Sequence, residues 1–257
     1  MADAAQGVWV KFARADRHFK ELRDAVRAYL ETDPYQVYEE EEPETGALVT
    51  RVRVVADPPV ELAAILGDVF HNARSALDHL ACYLVERDGG TPDKGTYFPT
   101  GKSKSEFSKA VKDKLRGTAE PTKERVRALE VYPSGDDDLW LLHQLDIDDK
   151  HKLLIAVGMS YSSLNMHSAM LFQGEIVEFP PLAIIPEDKM HGLKDGDVVF
   201  RVMKEARESG GDAFRSKYTF TFALGFINPT TGEAEDILQT TERLLQHAKD
   251  VAKDLLS

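Results

Sequence analysis

The sequence predicts an α+β protein in which a helical bundle packs with an antiparallel β-sheet. Several long segments carry apolar residues at intervals of three or four, which is the spacing of an amphipathic helix. Short β-branched or aromatic stretches, separated by Gly, Pro and Asp, concentrate in residues 160–226 and predict the strands. Because the last helix needs an apolar partner surface, we expect a single composite domain over residues 1–257.

The first predicted elements are a helix and a β-hairpin. The helix covers residues 10–31 and ends at Asp33-Pro34, because proline disfavours helical geometry in the residue before it. The stretches YQVYEEEE and ALVTRVRVV then flank a Pro-Glu-Thr-Gly turn and predict the hairpin. We expect the glutamates at positions 39–42 to pair across the hairpin with Arg51 and Arg53.

A long central helix is predicted over residues 60–87, which lie between a pair of prolines and Gly89-Gly90. A loop rich in Gly, Pro and Thr follows at residues 91–101. Residues 102–127 are a basic segment with a helical pattern, and they carry nine Lys and Arg against four Asp and Glu. Another helix is predicted over residues 139–154, behind acidic residues that complement the helix dipole.

The predicted domain therefore has three parts. A helical core covers about residues 60–157, a mainly β segment about 160–226, and a C-terminal helix about 233–256. Trp9 and Trp140 are expected in the core. The C-terminal helix carries an apolar stripe made of Ile237, Leu238, Thr241, Leu244, Leu245, Ala248, Val251, Ala252 and Leu255.

Charge and cysteine content exclude several classes of protein. The net charge of −12 argues against a generic coat for nucleic acid, which depends on Lys and Arg neutralising phosphates. The one cysteine, Cys82, excludes an intrachain disulfide framework and an all-cysteine zinc site. The amino terminus does not resemble a secretory signal, and no apolar run is long enough to cross a bilayer. We therefore expect a cytoplasmic protein that does not enter the membrane.

The central helix has an unusual polar face, because no lysine or glutamate lies between positions 68 and 85. Asp, Asn, His and Ser are mediocre helix formers, so their presence there indicates a role other than solvation. Arg74 and Asp78 are four residues apart and can pair, and His71 lies in the same row. The polar face consists of Asp68, His71, Asn72, Arg74, Ser75, Asp78 and His79.

A second polar cluster lies on the helix predicted over residues 139–154. Its members are His143, Asp146, Asp149, Lys150 and His151. If the two helices pack together, their polar residues form a pocket between helices, which is a common place for a binding site. A buried network in which every polar group is hydrogen-bonded would produce the same pattern and serve only the structure. Both interpretations remain open at this point.

The string HNARSALDH at residues 71–79, with Phe98-Pro99 and the later Asp149-Lys150-His151, resembles a family of uncharacterised bacterial and phage proteins. Members share an HN-x-RSALDH helix, a downstream FP and a later DKH. The resemblance covers about residues 60–157 and implies architecture more than activity. Here Asp148 precedes the DKH and Lys152 replaces the usual arginine.

The spacing from Arg74 to His79 is also similar to the R-x4-H motif of HEPN domains, helical modules that often act as metal-independent ribonucleases. This resemblance implies that His79 is the acid or base, that Arg74 stabilises charge on the phosphorane and that Asp78 orients the pair. It also implies a homodimer, because these residues work at a dimer cleft. The basic segment at residues 102–127 offers a surface for RNA.

A third interpretation is a metal site in the bundle. Histidine and aspartate supply the ligands that zinc, nickel or iron accept, and His71, His79 and His151 are the alternative ligand set. His143 and Asp149 could complete it. His71 and His79 are eight residues apart, so the second cluster has to contribute. Apart from this alternative, we expect no metal and no cofactor.

Overall fold

A computed structural model describes residues 2–151, 156–161, 170–172, 175–177, 193–202, 204 and 221–257. In these residues the chain forms six helices and eight strands. The helices are α1 (Ala2–Leu30), α2 (Val60–Arg87), α3 (Lys104–Lys114), α4 (Glu120–Arg127), α5 (Asp137–His151) and α6 (Ile237–Leu256). The strands are β1 (Tyr35–Glu41), β2 (Leu48–Val54), β3 (Ala156–Tyr161), β4 (Met170–Phe172), β5 (Glu175–Val177), β6 (Val198–Val202), β7 (Thr221–Ile227) and β8 (Ala234–Asp236).

Helix α2 lies at the centre of the bundle and packs against α1, α5 and α6. Its apolar side faces a core that also receives side chains from α1, α3, α4, β7 and α6. The α+β class predicted from the sequence is confirmed: the helices pack with small antiparallel sheets. The predicted bounds of α2 agree with the structure, because prolines precede the helix and glycines follow it.

The described strands form two three-stranded sheets, β1-β2-β6 and β3-β7-β8, and a hairpin of β4 with β5. The prediction of a sheet built mainly from residues 160–226 was wrong in one respect. Strand β6 joins the N-terminal hairpin, since the outer edge of β2 pairs with it from Leu48 opposite Val202. The predicted strand residues at 164–169 and 216–220 lie outside the described residues.

The N-terminal hairpin is confirmed, and its charges pair only in part as predicted. Arg51 forms an ion pair with Glu40, which lies diagonally across the hairpin. Arg53 lies opposite Gln36 instead, and its guanidinium carbon is 5.0 Å from the centre of the Tyr38 ring. The register therefore gives one of the two arginines a cation–π contact in place of an ion pair.

Two predictions about the helices were wrong. Helix α1 begins at Ala2 and not at residue 10, and the Trp9 side chain is 42% exposed, whereas Trp140 is buried as expected. The basic segment is helical as predicted, in two pieces, α3 and α4. It breaks at Gly117, whose φ of +83° is a left-handed conformation that glycine adopts without strain.

Helices α5 and α6 are held together at the start of α5. Asp136 accepts a hydrogen bond from the Leu139 amide at 2.9 Å and so caps α5. Its other carboxylate oxygen lies 2.7 Å from Nε2 of His247 on α6. The predicted stripe of α6 is buried apart from Leu238, which is partly buried. No helix in the described part of the chain is long and apolar enough to span a membrane.

Candidate functional site

The Arg74 side chain lies at the centre of the polar cluster and contacts three segments of the chain. The residue is only 6% exposed. Its Nη2 donates a hydrogen bond of 2.6 Å to the carbonyl oxygen of Phe98. Its Nε donates to Nδ1 of His143 on α5 at 3.4 Å. Its Nη1 lies 2.9 Å from Oδ1 of Asp78 and forms an ion pair with it. The angles of this contact are not those of a hydrogen bond. One buried guanidinium therefore joins α2, the loop at residues 91–101 and α5.

Asp78 completes the attachment of this loop. Its Oδ1 accepts a hydrogen bond of 2.9 Å from the Phe98 amide, so the amide and the carbonyl of that residue are both bound to α2. The Phe98 ring is buried, and its centre lies 5.9 Å from the guanidinium carbon of Arg74. The predicted pairing of Arg74 with Asp78 is present, and its structural consequence is a fixed loop.

His143 is the neutral member of the cluster. Burial, together with the positive charge of Arg74, lowers the pKa of His143 to about 4. Because its Nδ1 accepts from Arg74, the neutral ring carries its proton on Nε2. Burial also lowers the pKa of Arg74, while the negative charges of Asp78 and Asp146 act in the opposite direction. An arginine remains protonated in this setting, so the ion pair with Asp78 persists.

His71 and Lys150 both bind the buried carboxylate of Asp146, whose side chain is 4% exposed. Nδ1 of His71 lies 3.0 Å from Oδ1 of Asp146, and Nζ of Lys150 donates to Oδ2 at 2.6 Å. The His71 and Lys150 side chains are each 51% exposed. This part of the cluster is therefore open to solvent on its outer side, in contrast to the part around Arg74.

Asp149 lies beside this open part and against α2. A Cβ atom added at Gly67 would overlap the Asp149 carboxylate, so α5 and α2 approach closely at this point. Burial raises the pKa of Asp149, and the negative charges of Asp68 and Asp146 raise it further. The surroundings of His71 thus carry three carboxyl groups and one lysine.

The structure does not bring His79 into the cluster. Its exposed ring lies against α1, where a Cβ atom added at Gly7 would be 2.9 Å from Nδ1 of His79. Arg74 faces Phe98 and α5 instead, so the two members of the R-x4-H spacing lie on different sides of α2. Five residues of helix rotate the chain by about 140°, which accounts for the divergence.

In the described part of the chain, the remaining predicted residues do not take part in the contacts around Arg74 or Asp146. Asn72 is buried and donates to the carbonyl oxygen of Asp68 in its own helix at 2.8 Å. Ser75 is half-buried on α2. His151 is the last residue of α5, and its side chain lies outside the described residues. Among the residues that the structure describes, no group of three or more His, Cys, Asp or Glu side chains is arranged to hold a metal ion.

Three features of the cluster were not predicted. The sequence placed Asp146 in the second polar cluster without a partner, yet its carboxylate binds both His71 and Lys150. The main-chain contacts of Phe98 have no sequence signal, because every residue carries the same amide and carbonyl. Gly67 had a usable signal, since a glycine inside a helix is less favourable than alanine by about 1 kcal/mol and often marks a close approach.

Comparisons with protein-family models, with curated proteins and with solved structures give no match to this chain.

Proposed function

We propose that the cluster around Arg74 is a structural junction, which fixes the loop at residues 91–101 and helix α5 in one arrangement on α2. The single observation that carries this proposal is the buried guanidinium with partners on three segments of the chain. A buried arginine with bound partners restricts how these segments can pack, because any other packing leaves a charge unpaired.

The energetic consequence is large only when one partner is removed. Replacing Arg74 leaves the Asp78 carboxylate and the Phe98 carbonyl without their partner in a site that is partly shielded from water. Breaking a buried ion pair in this way destabilises proteins by about 3–5 kcal/mol. An exposed arginine contributes far less, since water replaces its partners.

The experiment compares Arg74→Met with Arg14→Met, a matched substitution at an exposed arginine on α1. We expect urea unfolding to show a loss of about 3–5 kcal/mol for the first variant and under about 0.5 kcal/mol for the second. Combining Arg74→Met with Asp78→Asn should lose less than the sum of the single changes, because the two residues interact. Equal stability of Arg74→Met and Arg14→Met would contradict the junction.

A second candidate function is binding of single-stranded RNA at the basic segment. Lys109 and Lys112 lie three residues apart on one side of α3, and Arg116 follows just beyond the end of the helix. All three are exposed, and none forms an ion pair with a described residue. Charges left without partners in an otherwise acidic chain favour a phosphate backbone as the ligand.

Fluorescence anisotropy with a labelled oligouridylate tests this binding. The variant Lys109→Glu/Lys112→Glu should lose binding, whereas Arg17→Glu/Lys20→Glu, an equal charge change at exposed positions on α1, should keep it. The affinity of the unmodified protein should fall as salt is raised. If both double variants lost RNA binding equally, the loss would come from the change in net charge, which would contradict a binding site on α3.

The R-x4-H spacing suggests a further proposal, which is metal-independent cleavage of the bound RNA. In that proposal a homodimer forms the cleft in which the RNA is cut. This cleavage requires Arg74 to reach a phosphate, although its side chain is buried in the described arrangement. Incubating the oligouridylate with protein in excess chelator tests it, because His79→Asn should then abolish cleavage. Sedimentation velocity measures the oligomeric state in the same preparation. A cytoplasmic location likewise remains a prediction.

A further inference from the structure

We infer that His71 is the proton-transfer group of a hydrolytic site, which acts on uncharged carboxylic esters at the open side of the α2–α5 crossing. This site is distinct from the Arg74 junction, since the two use different atoms and different partners. The inference starts from the contact between the half-exposed imidazole and the buried carboxylate of Asp146.

The Asp146 carboxylate selects one form of the His71 ring. With Nδ1 3.0 Å from Oδ1 of Asp146, the neutral imidazole carries its proton on Nδ1 and donates it to the carboxylate. The Nε2 lone pair is then left without a partner among the described residues, on a side chain that is 51% exposed. A buried carboxylate that orients a histidine whose other nitrogen is open is the arrangement that general bases use.

The charges around His71 indicate the class of substrate. Asp68 and Asp146 are close enough to Asp149 to raise its pKa, Lys150 binds Asp146, and Nδ1 of His18 on α1 lies 4.0 Å from Oδ2 of Asp68. Three carboxyl groups repel a phosphate or carboxylate ligand, so an uncharged ester fits this site better than an anionic one. The Lys150 ammonium, which is half-exposed, can stabilise the oxyanion that forms when water attacks a carbonyl.

The reaction is a hydrolysis that needs no co-reactant except water. Nε2 of His71 takes a proton from water while the water oxygen forms a bond to the carbonyl carbon of the ester. The bond from that carbon to the leaving oxygen then breaks, and the imidazolium returns the proton to the leaving alkoxide. The products are one carboxylic acid and one alcohol, and His71 ends in its starting form.

The test measures steady-state hydrolysis of p-nitrophenyl acetate after any initial acylation burst. We expect His71→Asn to lower the turnover rate by at least about tenfold, since general bases contribute about a hundredfold or more. The matched control is His247→Gln, another histidine beside an aspartate. Its turnover should equal that of the unmodified protein, because His247 binds Asp136 at the start of α5, ten residues along the chain from the Asp146 that orients His71. Unchanged turnover in His71→Asn would overturn the inference.

Two further measurements separate catalysis from folding. Asp146→Asn should lower turnover when its melting temperature is unchanged, and Asp146 then acts as a positioning residue. If Asp146→Asn does not fold, the ¹⁵N chemical shifts of His71 in the unmodified protein decide instead. They should report a proton on Nδ1 and a free Nε2 in the neutral ring. The opposite tautomer would overturn the inference, while the Arg74→Met unfolding experiment would still stand on its own.

Discussion

The carboxylate of Asp149 lies directly against Gly67, at the point where α5 packs on α2. The contact is possible because residue 67 has no side chain: a Cβ atom there would overlap the carboxyl carbon and both of its oxygens. Glycine in the middle of a helix is otherwise unfavourable, so its presence is explained by the neighbouring helix and not by α2 itself.

Gly67→Ala should destabilise the protein by about 2 kcal/mol, because the added methyl group displaces Asp149 and overpacks the crossing. The matched control is Gly7→Ala on α1. The three atoms nearest to a Cβ atom there all belong to the exposed ring of His79, which can move away, and alanine is the better helix former. We expect the control to be neutral or slightly stabilising in urea unfolding.

The same contact predicts a rescue. Gly67→Ala/Asp149→Ala should recover most of the loss caused by Gly67→Ala, because the second change removes the atoms that the methyl group would strike. A double-mutant cycle measures this coupling directly. Purely additive effects of the two substitutions would show that the loss arises elsewhere in α2.

Asp149→Asn should raise the free energy of unfolding at pH 7. Burial, Asp68 and Asp146 raise the pKa of Asp149 in the folded protein, so ionisation disfavours the folded state. An amide of the same shape removes that penalty, and partial exposure limits the gain to about 1 kcal/mol or less. At a pH below the usual aspartate range the two proteins should be equally stable, since the carboxyl group is then protonated in both states.

His143 should make the protein less stable as the pH falls from about 6.5 to 4. Its pKa is about 4 in the folded state, against the ordinary 6.5, so the unfolded chain binds a proton in this window that the folded protein does not. The variant His143→Gln keeps an acceptor for Arg74 and lacks this titration. The stability difference between the two proteins should change by roughly 2–3 kcal/mol across the window, as measured by urea unfolding at several pH values.

His247 should act in the opposite direction. The hydrogen bond to Asp136 raises the pKa of His247, so its stabilising contribution is complete below the ordinary histidine pKa and is lost as the pH rises through the folded value. His247→Gln should therefore weaken the protein most at about pH 6 and below, by at most about 1 kcal/mol for this half-exposed pair. A stability difference that grew at alkaline pH would be inconsistent with the ion pair.

Local signals predicted much of the fold. The prolines before α2 and the glycines after it set its ends, and the apolar stripe of α6 was read directly from the spacing. The start of α1 was missed, because its first residues have no capping signal and are weakly patterned. The pairing of β6 with β2 joins residues about 150 positions apart, which no local pattern can show.

The candidate site was predictable only as a set of residue types. By itself, the sequence determined that α2 carries an unusual polar face and that a second His/Asp cluster follows on α5, because residue types and helical spacing suffice for both. The tertiary structure alone decided that Arg74 binds the Phe98 main chain while His79 faces α1, and that Asp146 is shared by His71 and Lys150. The physical reason is that a side chain's partners depend on which other segments pack against its face, and packing is decided by the whole core.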